Sequence, residues 1–264
     1  MQVVRRGLEL LDQPFCTNAR LQAILVADPA TAAGLLRLAN SAFFGVSGEI
    51  QTVATAIRVV GHRRLRALLQ HLVVGKLFET LKGSNTLVRK VRRSALAAGV
   101  ACYEIGEQSL EQDGDELRVI GLTHNVAEMA IVCEAPELYS LAAQIRSPRA
   151  RYAESPRLFG AGFNEINALL LGGWRFPASC VTAAENWSRP VSSWHGDNKR
   201  YSAAAFVAAT FAAAWLDRTE EVEAITRIPA AYAHQLSVDD ELLMAAYRRI
   251  PDGIRELEEL LSPA

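Results

Sequence analysis

No stretch of this 264-residue sequence is apolar for the roughly 18 residues that a membrane-spanning helix needs. The nearest, Ala203 to Leu216, is Ala-rich and too short, and it reads as a buried helix. Arg5 and Arg6 are not followed by the long apolar run of a signal peptide. The expectation is a cytoplasmic, soluble protein without a membrane partner. Cysteine is sparse: Cys16, Cys102, Cys133 and Cys180 are widely scattered and none forms a CxxC pair. That argues against a zinc ribbon or a dithiol redox motif and predicts buried thiols in a reducing compartment. A phosphate-binding glycine loop is missing, because Gly172-Gly173 is not followed by Lys-Ser/Thr. Gly-x-Ser-x-Gly is absent too, so no nucleophile elbow is signalled. Sustained β-type alternation is lacking, which leaves an all-α fold.

What is present is an ordinary globular composition, 50% apolar and 22% charged, long enough for one large domain or two small ones. The charge is unevenly spread. Residues 1–100 carry 14 Lys/Arg against 5 Asp/Glu, and residues 101–264 carry 14 against 24. A basic half can meet an anionic partner, or the two halves can attract each other within or between chains, so a homo-oligomer stays open. The second idea is favoured, and nucleic acid disfavoured, because no aromatic residues interleave with the basic clusters. Those clusters are Arg63, Arg64 and Arg66, then Arg89, Lys90, Arg92 and Arg93. They read as solvated helix faces, with an anion or partner contact as the functional alternative. A helix-turn-helix over residues 52–69 lacks an Asn or Gln in the first turn after Gly61 to read bases. Glu220, Glu221 and Glu223 form a solvated charge run within an exposed stretch, residues 217–223.

Periodicity predicts helices at residues 3–12, after the Thr17-Asn18 cap, from Pro29, from Thr52 and over His62 to Leu81, ended by Gly83-Ser84-Asn85. Further helices are expected at Leu87 to Gly106, 117–134, from Pro136, Glu165 to Leu171, Pro177 to Trp187 and Tyr201 to Trp215. A helix capped by Val238-Asp239-Asp240 runs to about Arg249, and Pro251 precedes a separate last one. Gln108 to Glu116, Ser147 to Pro156 and Ser188 to Asn198 read as loops. Trp174, Trp187 and Trp215 read as core or interface residues, and Trp194, in a loop beside His195, as exposed.

The centre of the chain is Asp28 to Leu69. Asp28 caps a helix with Pro29 at its first turn, and Ala32, Leu35, Leu36, Leu38 and Ala39 repeat at helical spacing. Asn40-Ser41 ends that helix, where polar side chains tie off free backbone groups. Phe43-Phe44 follows, with one phenylalanine as a conceivable partner anchor, and Gly45, Ser47 and Gly48 mark a turn. LLRLANSAFFG, a polar turn, TAIRVVG and RRLRALL together resemble the signature of the HDOD family. The signature residues are Asn40, Ser41, Phe43, Gly45 and Gly61, and the resemblance spans roughly Leu8 to Leu216.

The resemblance implies a multi-helix HDOD/HD-like domain over residues 1–216 made of two helical bundles, 1–85 and a degenerate HD-like 86–216, with C-terminal helices at 217–264. The HDOD family is similar to HD-type metal phosphohydrolases, in which an adjacent His-Asp pair on a helix supplies two metal ligands. In LTHNVAEMAI, His124 stands at the His position but Asn125 replaces the Asp. A neutral amide lacks the charge that holds a hard cation. By motif the other ligand positions fall at Arg93, Phe163, Trp187 and Ser188, none of which replaces the histidine lost. His124 then reads as a helix histidine satisfied by a local partner. No metal, cofactor or catalytic residue is expected, and the chain is not expected to be an enzyme.

The implied function is a non-catalytic signalling module in a bacterial cytoplasm, acting on another signalling protein, in a pathway governed by cyclic dinucleotides. The alternatives are a residual metal-dependent phosphohydrolase using His124, or nucleotide or nucleic-acid binding through the basic N-terminal half.

Overall fold

A computed structural model describes residues 2–40, 50–80, 85–108, 114–194 and 199–261. Every regular element among them is helical, as the absence of β-type alternation predicts. None of these helices is long and apolar enough to cross a membrane alone, although the bent pair Asn18–Leu25 and Pro29–Ala39 passes that test by length and composition. The chain divides into two compact units, one of residues 1–79 with 258–264, the other of residues 80–257.

The first unit contains α1 (Gln2–Leu11), α2 (Asn18–Leu25), α3 (Pro29–Ala39) and α4 (Val53–Thr80). Local chemistry sets their starts. Thr17 accepts from the Arg20 N–H at 3.4 Å, and Asp28 accepts from the Thr31 N–H at 3.2 Å, with Pro29 where no N–H is needed. Leu8, Leu21, Leu25, Leu35, Leu65 and Leu69 are fully buried and form its core. Gly61 divides α4 with φ +77 and ψ 167, a conformation open to glycine and strained for other residues.

Asn40 does more than end α3. Its Nδ2 donates to the Ile50 carbonyl at 2.8 Å and its Oδ1 accepts from the Ile50 N–H at 2.6 Å. One carboxamide thus clamps both backbone groups of a residue ten positions on. Ser41, Phe43, Phe44, Gly45, Ser47 and Gly48 lie outside the described residues, as do Gly83, Ser84 and His195.

The second unit contains α5 (Thr86–Gln108), α6 (Gly114–Thr123), α7 (Val126–Glu134), α8 (Pro136–Ala143), α9 (Pro148–Phe159), α10 (Phe163–Gly173), α11 (Ala178–Asn186), α12 (Lys199–Leu216), α13 (Glu221–Thr226), α14 (Ala230–Leu236) and α15 (Asp240–Leu261) up to Leu257. Small residues let its central helices approach closely. An added Cβ at Gly121 of α6 would lie 2.3 Å from the Ala98 carbonyl oxygen of α5. The Ala-rich α12 buries Ala203, Ala204, Ala205, Ala208 and Ala212 completely or nearly so, as its composition predicts.

Four expectations fail here. Residues 117–134 are not one helix: His124 and Asn125 form a turn between α6 and α7. Ser147 to Pro156 is not a loop but most of α9, because Ser147 accepts from the Ala150 N–H at 3.3 Å and Pro148 occupies the first turn. Pro251 does not separate two helices. Leu243, Ala246, Ile250, Ile254 and Leu257 are buried on one continuous face of α15, and that burial outweighs a proline penalty of about 3 kcal/mol. Trp194 is 5% exposed rather than solvent-facing; its indole N–H donates to the Arg189 carbonyl at 3.0 Å and its ring meets Tyr232 edge-on. Of the four thiols, Cys102 and Cys180 are buried, Cys16 is intermediate and Cys133 is exposed.

Candidate functional site

The break between α6 and α7 is held open by side chains from three other helices. The His124 carbonyl accepts from the Asn167 amide of α10 at 2.8 Å, from the Tyr152 hydroxyl of α9 at 3.1 Å and from the Trp187 indole N–H after α11 at 3.1 Å. Asn167 Oδ1 accepts in turn from the Ala127 N–H at 2.7 Å, which satisfies a free donor at the start of α7. A regular helix would have used that carbonyl internally, so the turn costs backbone hydrogen bonds that these donors replace.

The His124 ring points inward and is buried. Its Nδ1 lies 2.6 Å from the Gly121 carbonyl, which can only accept, so Nδ1 carries the proton. Burial drives its pKa down to about 4, against smaller opposing effects of that hydrogen bond and of the Glu128 charge. The imidazole is therefore neutral at pH 7. Trp187 packs edge-on against it at 5.4 Å between ring centres, and Tyr152 packs edge-on against Trp187 at 4.5 Å. Phe163, fully buried, packs edge-on against Tyr152 at 5.2 Å.

Two of the predicted lost-ligand positions, Phe163 and Trp187, thus belong to one aromatic cluster around His124. Ser188 donates to Asn164 at 2.8 Å, beside that cluster in sequence. Arg93 has gone elsewhere and stacks over the Trp215 ring at 4.7 Å. Asn125 donates to the Val91 carbonyl at 3.3 Å, while its Oδ1 is buried without a hydrogen-bond partner.

A divalent metal does not fit these residues. One neutral imidazole and one amide oxygen are the donors at the turn, and neither indole nor phenyl can coordinate a cation. Among the described residues no group of three or more His, Cys, Asp or Glu is placed to hold a metal ion.

A second cluster adjoins the first, and sequence reading missed it. Glu128 of α7 is buried, accepting from the Tyr139 hydroxyl at 2.5 Å and from Arg151 Nε at 3.0 Å. Arg151 also donates to the Ile145 carbonyl at 2.7 Å. Burial alone would lower the Arg151 pKa, but the Glu128 charge reverses the shift and raises it. Burial, and then the same charge, push the Tyr139 phenol well above its usual range. Arg151 and Tyr152 were hidden in a stretch read as loop. Asn167 did leave a signal: it is the one amide inside the apolar run Ile166 to Leu171.

The basic candidates are dispersed. Arg63 and Arg64 are exposed, and Arg66 pairs with Asp12 at 2.7 Å. Arg89 donates to Thr86 at 3.3 Å, and Arg92 is half-buried. Lys90 differs: it lines a cleft with Ser94, Glu128, Tyr139, Arg146 and Asp217.

A model of the HDOD domain family matches residues 1–190. A Treponema pallidum protein without an assigned role is 26% identical over 175 residues, 65% of this chain and 33% of the relative, so the match spans about a third of that relative's length. Among solved structures, an HDOD domain protein with unknown function from Geobacter sulfurreducens is 18% identical, with a TM-score of 0.75 over 98% of this chain and 92% of that one. A candidate phosphohydrolase of Shewanella amazonensis is 21% identical, with a TM-score of 0.73 over 99% and 94%. A candidate signal transduction protein of Marinobacter aquaeolei is 18% identical, with a TM-score of 0.71 over 100% of this chain and 59% of that one. At these identities the likeness is one of fold.

Proposed function

The chain belongs to the HDOD family, and on that premise we propose that it is a non-catalytic regulatory module in signal transduction that works through contact with another protein. The observation that carries this reading is the filling of the region around His124. Where the resemblance places metal ligands, Phe163 and Trp187 pack their rings with Tyr152 about a neutral, buried imidazole. Aromatic packing of this kind stabilises a fold, whereas a hydrolytic metal centre needs an open coordination site with charged ligands.

The test is metal content. Protein purified without chelator is incubated with manganese, iron or zinc, desalted and analysed for metal, beside His124→Ala. The expected result is no stoichiometric metal in either and no hydrolysis of a generic phosphodiester. Stoichiometric metal in the wild type that is lost in His124→Ala would overturn the proposal in favour of a residual phosphohydrolase.

A further inference from the structure

Within the second unit, two adjoining cavities form a groove along the start of α9. They share Arg146, Pro148, Ala213 and Asp217. The smaller offers only about 30 Å³ and the larger about 520 Å³, so a small ligand fits the larger. Lys90 lines the smaller, and Arg149 and Arg227 line the larger. Trp187 and Phe206 contribute apolar edges to the larger, and Phe206 is itself stacked on Tyr232 at 3.8 Å between ring centres.

The charges in this groove are poorly matched. Arg227 pairs with Glu223 at 2.7 Å. Lys90, Arg146 and Arg149 make no ion pair or hydrogen bond to any described residue. Cations gathered in one concavity repel each other, and low-dielectric walls focus their field. All three are exposed, so water screens part of that repulsion. A bound anion would relieve the rest, and guanidinium groups match phosphate oxygens two at a time. One carboxylate, Asp217, stands in the shared wall, and it too has no partner. It disfavours a bare anion beside it and favours a ligand that offers N–H donors there.

We infer that this groove binds a small organic phosphate, with the phosphate on Arg146 and Arg149 and an N–H-bearing part at Asp217. Lys90 adds to the field from the smaller cavity. The inference goes beyond the proposed function and does not depend on it, because the charged side chains it uses lie outside the His124 cluster, whose Trp187 supplies only an apolar edge of the groove.

The experiment is equilibrium dialysis at low salt with guanosine, adenosine and cytidine 5′-monophosphates, whose bases all carry N–H donors. Inorganic phosphate and the three unphosphorylated nucleosides serve as comparisons. At least one monophosphate should bind, more tightly than its nucleoside and than inorganic phosphate. Arg146→Ala/Arg149→Ala, at two exposed positions, should weaken it roughly tenfold or more. Asp217→Asn should weaken the monophosphate and bind inorganic phosphate as well as the wild type or better, and Arg63→Ala/Arg64→Ala should change nothing. Circular dichroism and melting checks that each variant is folded. Absence of binding by all three monophosphates at millimolar concentration overturns the inference. So does binding unaffected by Arg146→Ala/Arg149→Ala, a nucleoside that binds as well as its monophosphate, or inorganic phosphate that binds as tightly.

Discussion

Asn167 and His124 are joined by a hydrogen bond of 2.8 Å from a side-chain amide to a backbone carbonyl, across 43 residues of sequence. The same carboxamide accepts from the Ala127 N–H, so it spans both sides of the turn between α6 and α7. Replacing Asn167 by Leu keeps the size and removes both bonds. The buried Ala127 N–H is left unpaired, at about 1–3 kcal/mol, while the His124 carbonyl keeps the Tyr152 and Trp187 donors and loses about 1 kcal/mol. Urea unfolding should therefore show a loss of about 2–4 kcal/mol with an unchanged m-value. A loss under 0.5 kcal/mol would mean that Tyr152 and Trp187 hold the turn unaided.

His124 makes stability depend on pH. Its folded pKa of about 4 lies below the ordinary histidine value of 6.5. Between those values the unfolded chain binds the proton and the folded one does not, so stability falls as pH drops through this window. The full effect is about 3 kcal/mol, reached near pH 4 and absent above about pH 7. Unfolding free energies of wild type and His124→Gln at pH 7 and pH 4.5 measure it. The wild type should lose more stability between these pH values than the variant, and equal losses would show that His124 is not buried neutral.

The Glu128–Arg151 pair predicts an asymmetry. Arg151→Met leaves a buried carboxylate beside the Tyr139 hydroxyl and should cost about 3–5 kcal/mol. Adding Glu128→Gln to Arg151→Met should restore part of that loss, since no buried charge then remains. A double-mutant cycle from thermal or urea unfolding gives the coupling, and a double variant no more stable than Arg151→Met would contradict it.

Two glycines should respond in opposite directions to alanine. At Gly121 a Cβ would meet the Ala98 carbonyl oxygen at 2.3 Å and Gly99 Cα at 2.8 Å, both backbone atoms that cannot step aside. Gly121→Ala should lower stability by roughly 3 kcal/mol or more, by forcing α5 and α6 apart. At Gly172, in the last turn of α10, nothing lies within 4 Å. Gly172→Ala should raise stability by up to about 1 kcal/mol, through restriction of the unfolded chain. Melting temperatures of the two variants give the signs directly.

What could be read from the residues was what short-range forces decide. Caps at Thr17 and Asp28, the glycine break at Gly61 and the 3.6-residue apolar repeats mark elements by contacts within a few positions, and the helical class followed from them. Asn40 was legible as a helix-ending residue, though its pairing with Ile50 across ten residues was not. The motif placement singled out Phe163 and Trp187, which the fold brings into one aromatic cluster with Tyr152 and His124.

Where the elements break or continue against local preference, only the tertiary structure decided. The turn at His124 exists because Tyr152, Asn167 and Trp187 arrive from distant helices with donors for its carbonyl. The continuation of α15 through Pro251 rests on apolar burial along its whole face. The seating of Glu128 against Arg151 and Tyr139, and the gathering of Arg146, Arg149 and Asp217 along one groove, join residues that share no local pattern. Caps and periodicity act over one or two turns, whereas burial and charge act between surfaces that only packing brings together.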